Sequence, residues 1–306
     1  MKLMGKTLQS DSQLGTKKYK SWIIAGRPKT LLAAIVPVVV GSALAVHKGR
    51  FVLLFSIIAL LCSLLIQVGT NFTNDLYDFI KGADSKDRKG PLRVLAAGLI
   101  SLNEMRMGVV FIFSAAFILG LILVYEAGPV IFIIGILSII AGITYTAGPF
   151  PLAYNGLGDI FVFMFFGIAG TSGTYYIQVK EFSMVSFLTS IPVGALITDI
   201  LVVNNYRDIE EDKAAGKRTL AVIFGKDFTR FQFIFLILTS FAIPAVLYFF
   251  FDFKYWIFLP YFSFPIAYKL IIMLYTLEGF QLNKTLELTA KLSALYGFLF
   301  AVGLTL

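Results

Sequence analysis

F-V-L-L-F-S-I-I-A-L-L-C-S-L-L-I-Q-V-G-T-N-F-T-N-D-L-Y-D (Phe51 to Asp78) is an apolar run that ends in a cluster of amides and acids. A spanning helix needs about 20 mostly apolar residues, and ionisable groups at the rim of such a span are costly and usually functional. Asn71, Asn74, Asp75 and Asp78 follow at i, i+3, i+4 and i+7, so they share one helical face, with Gln67 one turn deeper. About 130 residues later the pattern returns in N-N-Y-R-D-I-E-E-D-K-A-A-G-K-R (Asn204 to Arg218), where Asn204, Asp208 and Asp212 recur every four residues. Two oxygen-rich tips on two spans are what a metal-bound diphosphate needs.

Working outward from these tips, the same length criterion gives nine spans, at 28–47, 51–74, 104–125, 129–147, 157–178, 183–204, 229–250, 254–275 and 285–305. The 306 residues are 58% hydrophobic and 14% charged, against about a quarter charged in soluble domains. Long unbroken apolar runs without alternation exclude a barrel and leave an all-α polytopic membrane bundle. Residues 1–27 read as a polar tail without a signal-peptide core, and residues 28–306 as a single transmembrane domain. The clusters close spans two and six, as a four-plus-four repeat with an appended ninth helix would place them. Ser101 and Glu104 form a capping-box pattern that starts the third span.

Of the 26 Lys and Arg residues, all but Lys48, Arg50, Lys180 and Lys254 fall on one side of this topology. The positive-inside rule makes that side, with the N-terminus and both acidic tips, cytoplasmic. The net charge of +8 is therefore explained by topology and contact with anionic membrane lipid, and nucleic acid is excluded as a partner. The one cysteine, Cys62, sits in mid-span and supports neither a disulfide nor a zinc site. His47 lies at the opposite, outer rim.

Carboxylates and amides without His or Cys suit Mg²⁺, which is commonly shared between one or two carboxylates and substrate phosphates. Cations follow each tip: Lys81, Arg88 and Arg93 after the first, Lys217 and Arg218 after the second, with Arg27 at the mouth of the first span. Arg suits forked phosphate contacts and Lys point-charge contacts. Tyr145, beside the Gly148-Pro149 break, and Tyr154 are candidates to line the cavity beyond the phosphates.

These strings resemble the paired aspartate motifs of the UbiA superfamily of intramembrane aromatic prenyltransferases. N-D-L-Y-D-F-I-K-G-A-D with G-P-L-R-V, Y-T-A-G-P-F-P-L-A-Y-N-G-L-G-D (Tyr145 to Asp159) and N-N-Y-R-D-I-E-E-D resemble its 1,4-dihydroxy-2-naphthoate branch. The general first motif has a third aspartate where this chain has Gly82; Asp84 stands two residues on. The resemblance implies two Mg²⁺ ions on Asn74, Asp78, Asp208 and Asp212, with Asp75, Asp84 and Asn204 in support. It implies Asp78, Asp208 and Tyr145 as catalytic residues, the named cations on the diphosphate of a polyprenyl donor, and the aromatic acceptor near Tyr145, Tyr154 and Asn155. The implied reaction is polyprenyl transfer to 1,4-dihydroxy-2-naphthoate with decarboxylation, in menaquinone biosynthesis. Another aromatic acceptor on the same architecture is the alternative. A transporter is the remoter one, since transporters place their acids near the midplane.

Overall fold

The computed structural model describes residues 18–82 and 92–306. Asp84 and Arg88 lie outside the described residues. Among the described residues, eight helices are long and apolar enough to cross a membrane, and Pro129–Thr144 is a shorter apolar ninth. In chain order they follow a short helix α1 (residues 18–26): α2 (Leu31–His47), α3 (Leu53–Ile80), α4 (Leu102–Ala127), α5 (Pro129–Thr144), α6 (Gly158–Val179), α7 (Met184–Arg207), a one-turn α8 (Ile209–Ala214), α9 (Leu220–Phe250), α10 (Tyr255–Thr276) and α11 (Leu282–Thr305). The protein is a multi-pass integral membrane protein, and the nine spans read from the sequence correspond to these helices.

Lipid, not water, sets the pattern of burial. Phe111, Ile118, Phe235 and Phe298 are all more than half exposed on the outside of the bundle, a surface no soluble protein would tolerate. In the apolar stretches of α3 and α4 only 17% of the residues are buried within protein, against 67% in α7. The helix that carries the second tip is thus the most enclosed, with α6, α9 and α11 packed around it. Close approach there depends on small residues, as expected where no hydrophobic effect drives helices together. A Cβ on Gly167 of α6 would stand 2.8 Å from the Cα of Gly194 on α7.

Several local signals act as the sequence predicts. Ser101 and Glu104 form a reciprocal cap, the Glu104 amide donating to the Ser101 hydroxyl and the Ser101 amide to the Glu104 carboxylate. α3, at 28 residues, is about 42 Å long against a hydrocarbon core of about 30 Å. Its last turns, with Asn71 to Asp78, therefore stand beyond the apolar layer. Other features were not legible. The described part of the N-terminal segment, residues 18–26, is helical and packs Trp22 on Phe72 with ring centroids 5.1 Å apart. Residues 220–224 precede the span expected at 229–250 as helix, separated from it by Gly225 at φ 80°. α6 is a π-helix from Phe163 to Ser172, a wide winding often found at functional sites.

Candidate active site

The ends of α3 and α7 open on one cavity of about 820 Å³, within the roughly 300–1,000 Å³ of small-molecule sites. Its head is polar: Arg27, Asn71, Asn74, Asp78, Arg93, Tyr145, Asn204, Asp208, Asp212 and Lys217 all form its wall. Below the head it is apolar, running past Pro37, Ile66, Phe165 and Phe166 to Cys62, Val124 and Ile131 within the spans. Two tips separated by about 130 residues thus share one pocket.

The first tip divides its residues between two tasks. Asn74 and Asp78 face the cavity. Asn71 also lines it while its side-chain amide donates to the carbonyl of Gly26 and the hydroxyl of Thr30, both at 3.0 Å. That holds the helix break where Arg27 adopts φ 49°. Asp75 lies off the cavity wall: its Oδ2 accepts from the Val94 amide at 3.2 Å, with Arg93 Nε 3.9 Å from its Oδ1. Asp75 therefore anchors the segment that delivers Arg93.

The carboxylates at the head of the cavity are met by cations. Arg93 Nη2 donates to Asp78 Oδ2 at 2.6 Å, and Lys217 Nζ lies 3.8 Å from Asp78 and 3.6 Å from Asp212. Arg93 and Asp78 are nearly dehydrated, so each charge depends on the other, because a lone ion in such a place costs several kcal/mol. Tyr154 stands behind this pair, outside the cavity wall. Its hydroxyl donates to Asp78 Oδ1 at 2.8 Å, while the Nζ atoms of Lys81 and Lys217 sit 4.5 and 4.9 Å from its ring centroid. Lys81 itself donates to the Thr146 carbonyl at 2.8 Å. Burial lowers its ammonium pKa, Asp78 opposing and Lys217 adding to the shift.

At the second tip the helix bends. Asp208 separates α7 from α8 with φ −100° and ψ 12°, and the bend swings the adjacent Arg207 onto it. Arg207 Nε and Nη2 each donate to an Asp208 oxygen at 2.6 Å; Nη2 also reaches Asn204 Oδ1 at 2.9 Å, and Nη1 reaches Asn283 Oδ1 at 2.7 Å. The Asp212 amide still donates to the Asp208 carbonyl at 2.8 Å, which keeps the four-residue spacing through the bend. Sequence reasoning missed Arg207 and Asn283. Neighbours in a regular helix point apart, so only the bend turns Arg207 toward Asp208, and Asn283 arrives from α11.

The remaining candidates fall around the cavity. Tyr145 caps the end of α5 and lines the wall, where its phenol can donate a hydrogen bond. Asn155 lies outside the wall and its amide donates to the Pro151 carbonyl at 2.8 Å, shaping the turn. Arg218 is exposed and off the wall; its backbone amide donates to the Tyr154 carbonyl at 2.9 Å.

The donor set fits a hard cation. Among the described residues no three His, Cys, Asp or Glu groups close into a metal cage. What the two tips offer is a few carboxylates with Asn oxygens beside them, open on the cavity side, which suits an ion completed by water and substrate phosphate.

Paired acid-and-amide tips with buried cations, at the head of an apolar chamber inside a helical membrane bundle, define an intramembrane prenyltransferase. The chain belongs to the UbiA prenyltransferase family, whose model matches residues 34–295. It is 42% identical over 217 residues to the 1,4-dihydroxy-2-naphthoate octaprenyltransferase of Haemophilus influenzae, covering 68% of this chain and 70% of that protein. It is 35% identical over 294 residues to the protein of the same name from Escherichia coli, covering 94% and 96%. A UbiA homolog from Archaeoglobus fulgidus bound to GPP and Mg2+ shares the fold, with a TM-score of 0.64, 18% identity, and coverage of 92% of this chain and 99% of that one.

Proposed function

We propose that this enzyme transfers a polyprenyl group from polyprenyl diphosphate to 1,4-dihydroxy-2-naphthoate, with loss of carbon dioxide, giving demethylmenaquinol and diphosphate. The observation that carries the reading is the shared cavity: two oxygen-rich tips and their cations at one end, an apolar channel at the other. Similarity to the Haemophilus influenzae and Escherichia coli proteins, both named for the naphthoate, supports the acceptor. The Archaeoglobus fulgidus homolog, described with GPP and Mg2+, supports the donor class and the ion.

Asn74, Asp78, Asn204, Asp208 and Asp212 would hold two Mg²⁺ ions. When bound, Mg²⁺ withdraws charge from the departing diphosphate and favours breaking of the allylic C–O bond. Arg93, Lys217 and Arg27 add fixed positive charge where the leaving group develops negative charge. The apolar channel takes the prenyl tail and excludes water, which would otherwise quench an allylic cation. Tyr145 donates toward the acceptor from the chamber wall. The positive-inside bias supports a cytoplasmic head of the cavity and N-terminus, with residues 28–306 as one domain.

An acceptor panel tests the assignment. Membranes containing the protein are given labelled farnesyl diphosphate with 1,4-dihydroxy-2-naphthoate, 4-hydroxybenzoate or homogentisate, each with Mg²⁺ or with chelator. Prenylated, decarboxylated product from the naphthoate alone, abolished by chelator, is expected. Prenylation of another ring in its place refutes the naphthoate reading.

A further inference from the structure

A glycine inside a helix weakens it relative to alanine, and several glycines of this bundle have a packing reason. A Cβ on Gly41 would stand 2.4 Å from the Thr171 carbonyl oxygen, and one on Gly297 2.4 Å from a Val36 methyl. Gly120 of α4, Gly135 of α5 and Gly173 of α6 have no such reason. A Cβ on Gly135 meets no described atom within 4 Å. On Gly120 it meets only the Cys62 Sγ, at 4.0 Å, and on Gly173 only two Ile134 methyls, at 3.8 Å. All three glycines and Cys62 line the chamber, so the space their side chains would fill belongs to it.

They also stand at one depth. Gly128 joins α4 to α5, Lys180 Nζ just past α6 donates to the Glu126 carbonyl at 2.9 Å, and the Val52 amide just before α3 donates to Gln178 Oε1 at 2.8 Å. The ends of these four helices are therefore level, at the rim away from the acidic tips. Gly120, Gly135 and Gly173 lie seven, six and six residues inside the ends at Ala127, Pro129 and Val179, about 9–11 Å of helix.

From Asp78 at the head to Cys62 is sixteen residues of α3, about 24 Å. An extended isoprene unit, four carbon–carbon bonds of about 1.5 Å in zigzag, spans about 5 Å. With the diphosphate taking the first part of that length, roughly four units reach the glycines. Below them the chamber closes, since Ala59, Leu123, Ile131 and Ile177 line its floor and are buried in one apolar cluster. Leu121 and Phe132 line the chamber beside the glycines and are each 42% exposed. A longer tail has its way out there. We propose that Gly120, Gly135 and Gly173 form a gap through which a polyprenyl tail of more than about four units turns out past Leu121 and Phe132, so that these three positions set the donor length. This rests on the donor being a polyprenyl diphosphate.

The test uses the purified full-length protein in lipid nanodiscs with Mg²⁺ and 1,4-dihydroxy-2-naphthoate, and compares farnesyl diphosphate, of three units, with octaprenyl diphosphate, of eight. In Gly120→Leu and in Gly135→Leu the ratio of kcat/KM for octaprenyl to that for farnesyl is expected to fall about tenfold or more, the effect of a few methylenes in an apolar pocket. A ratio within twofold of wild type in both variants overturns the proposal. Cys62, the single cysteine of the chain, gives a reading on the unaltered protein. Its alkylation by N-ethylmaleimide, followed by intact mass without acceptor, is expected to be slowed by octaprenyl diphosphate and not by geranyl diphosphate, whose two units end above it. Equal protection by the two donors, no protection by octaprenyl diphosphate, or a thiol that the reagent does not reach in the empty protein overturns the proposal as well. A wild type that transfers neither tail refutes the functional reading instead, and protection of Cys62 then judges the gap alone.

Discussion

Replacing Arg207 by lysine keeps the charge and removes the fork. The guanidinium makes four short bonds, two to Asp208 and one each to Asn204 and Asn283. An ammonium cannot span both carboxylate oxygens and both amides from one point. At least two of these bonds go, each made by the charged guanidinium and worth about 1.5–3 kcal/mol. With water recovering about half of that, a loss of roughly 1.5–3 kcal/mol remains in the orientation of Asp208 and Asn204. At about 1.4 kcal/mol per decade this is a fall in kcat/KM of roughly 10- to 150-fold, accompanied by a need for more Mg²⁺ at half-maximal rate. Initial rates across a Mg²⁺ titration, on protein checked for a monodisperse elution profile, measure both. An Arg207→Lys enzyme within twofold of wild type at every Mg²⁺ concentration refutes the argument that this fork sets the tip.

Asp78→Ala and Asp208→Ala should each abolish turnover while the protein still inserts and purifies, because each removes a carboxylate of the shared cavity; wild-type activity in either takes that residue out of the reaction. Tyr154→Phe deletes the bond to Asp78 and keeps the ring beside Lys81 and Lys217, so donor affinity should fall by about tenfold, the equivalent of one hydrogen bond. Tyr154→Ala should cost more, since the ring–cation contacts add about 0.5–2 kcal/mol; equal affinities for the two variants in a donor titration count against the ring's part. Gly167→Val places atoms inside the α6–α7 contact and should abolish folded protein on size-exclusion chromatography, and recovery of active enzyme would show that the contact can open.

The first tip illustrates how far a spacing argument reaches. Its four residues were read as one face, and a face about 100° wide is what i, i+3, i+4, i+7 defines. Cavity and loop divide that face between them: Asn74 and Asp78 turn to the chamber, while Asp75 turns to the Val94 amide and Arg93. A helical wheel gives direction to within a turn and does not say what stands opposite. The same limit hid Asn283, whose side-chain oxygen accepts from Arg207 across from α11.

Hydropathy alone determined that this chain is a helical membrane bundle, because apolar runs of bilayer length have no other satisfied backbone state. Charge placement along the chain determined that the acid-and-amide tips and the cations that follow them lie at one rim. Tertiary structure decided which of those charges meet. Arg207 falls on Asp208 through a backbone bend, and Asn283 reaches Arg207 from the last helix. These are contacts between residues far apart in the chain or turned by local geometry, and their energies depend on distances of a few ångströms that no periodicity encodes.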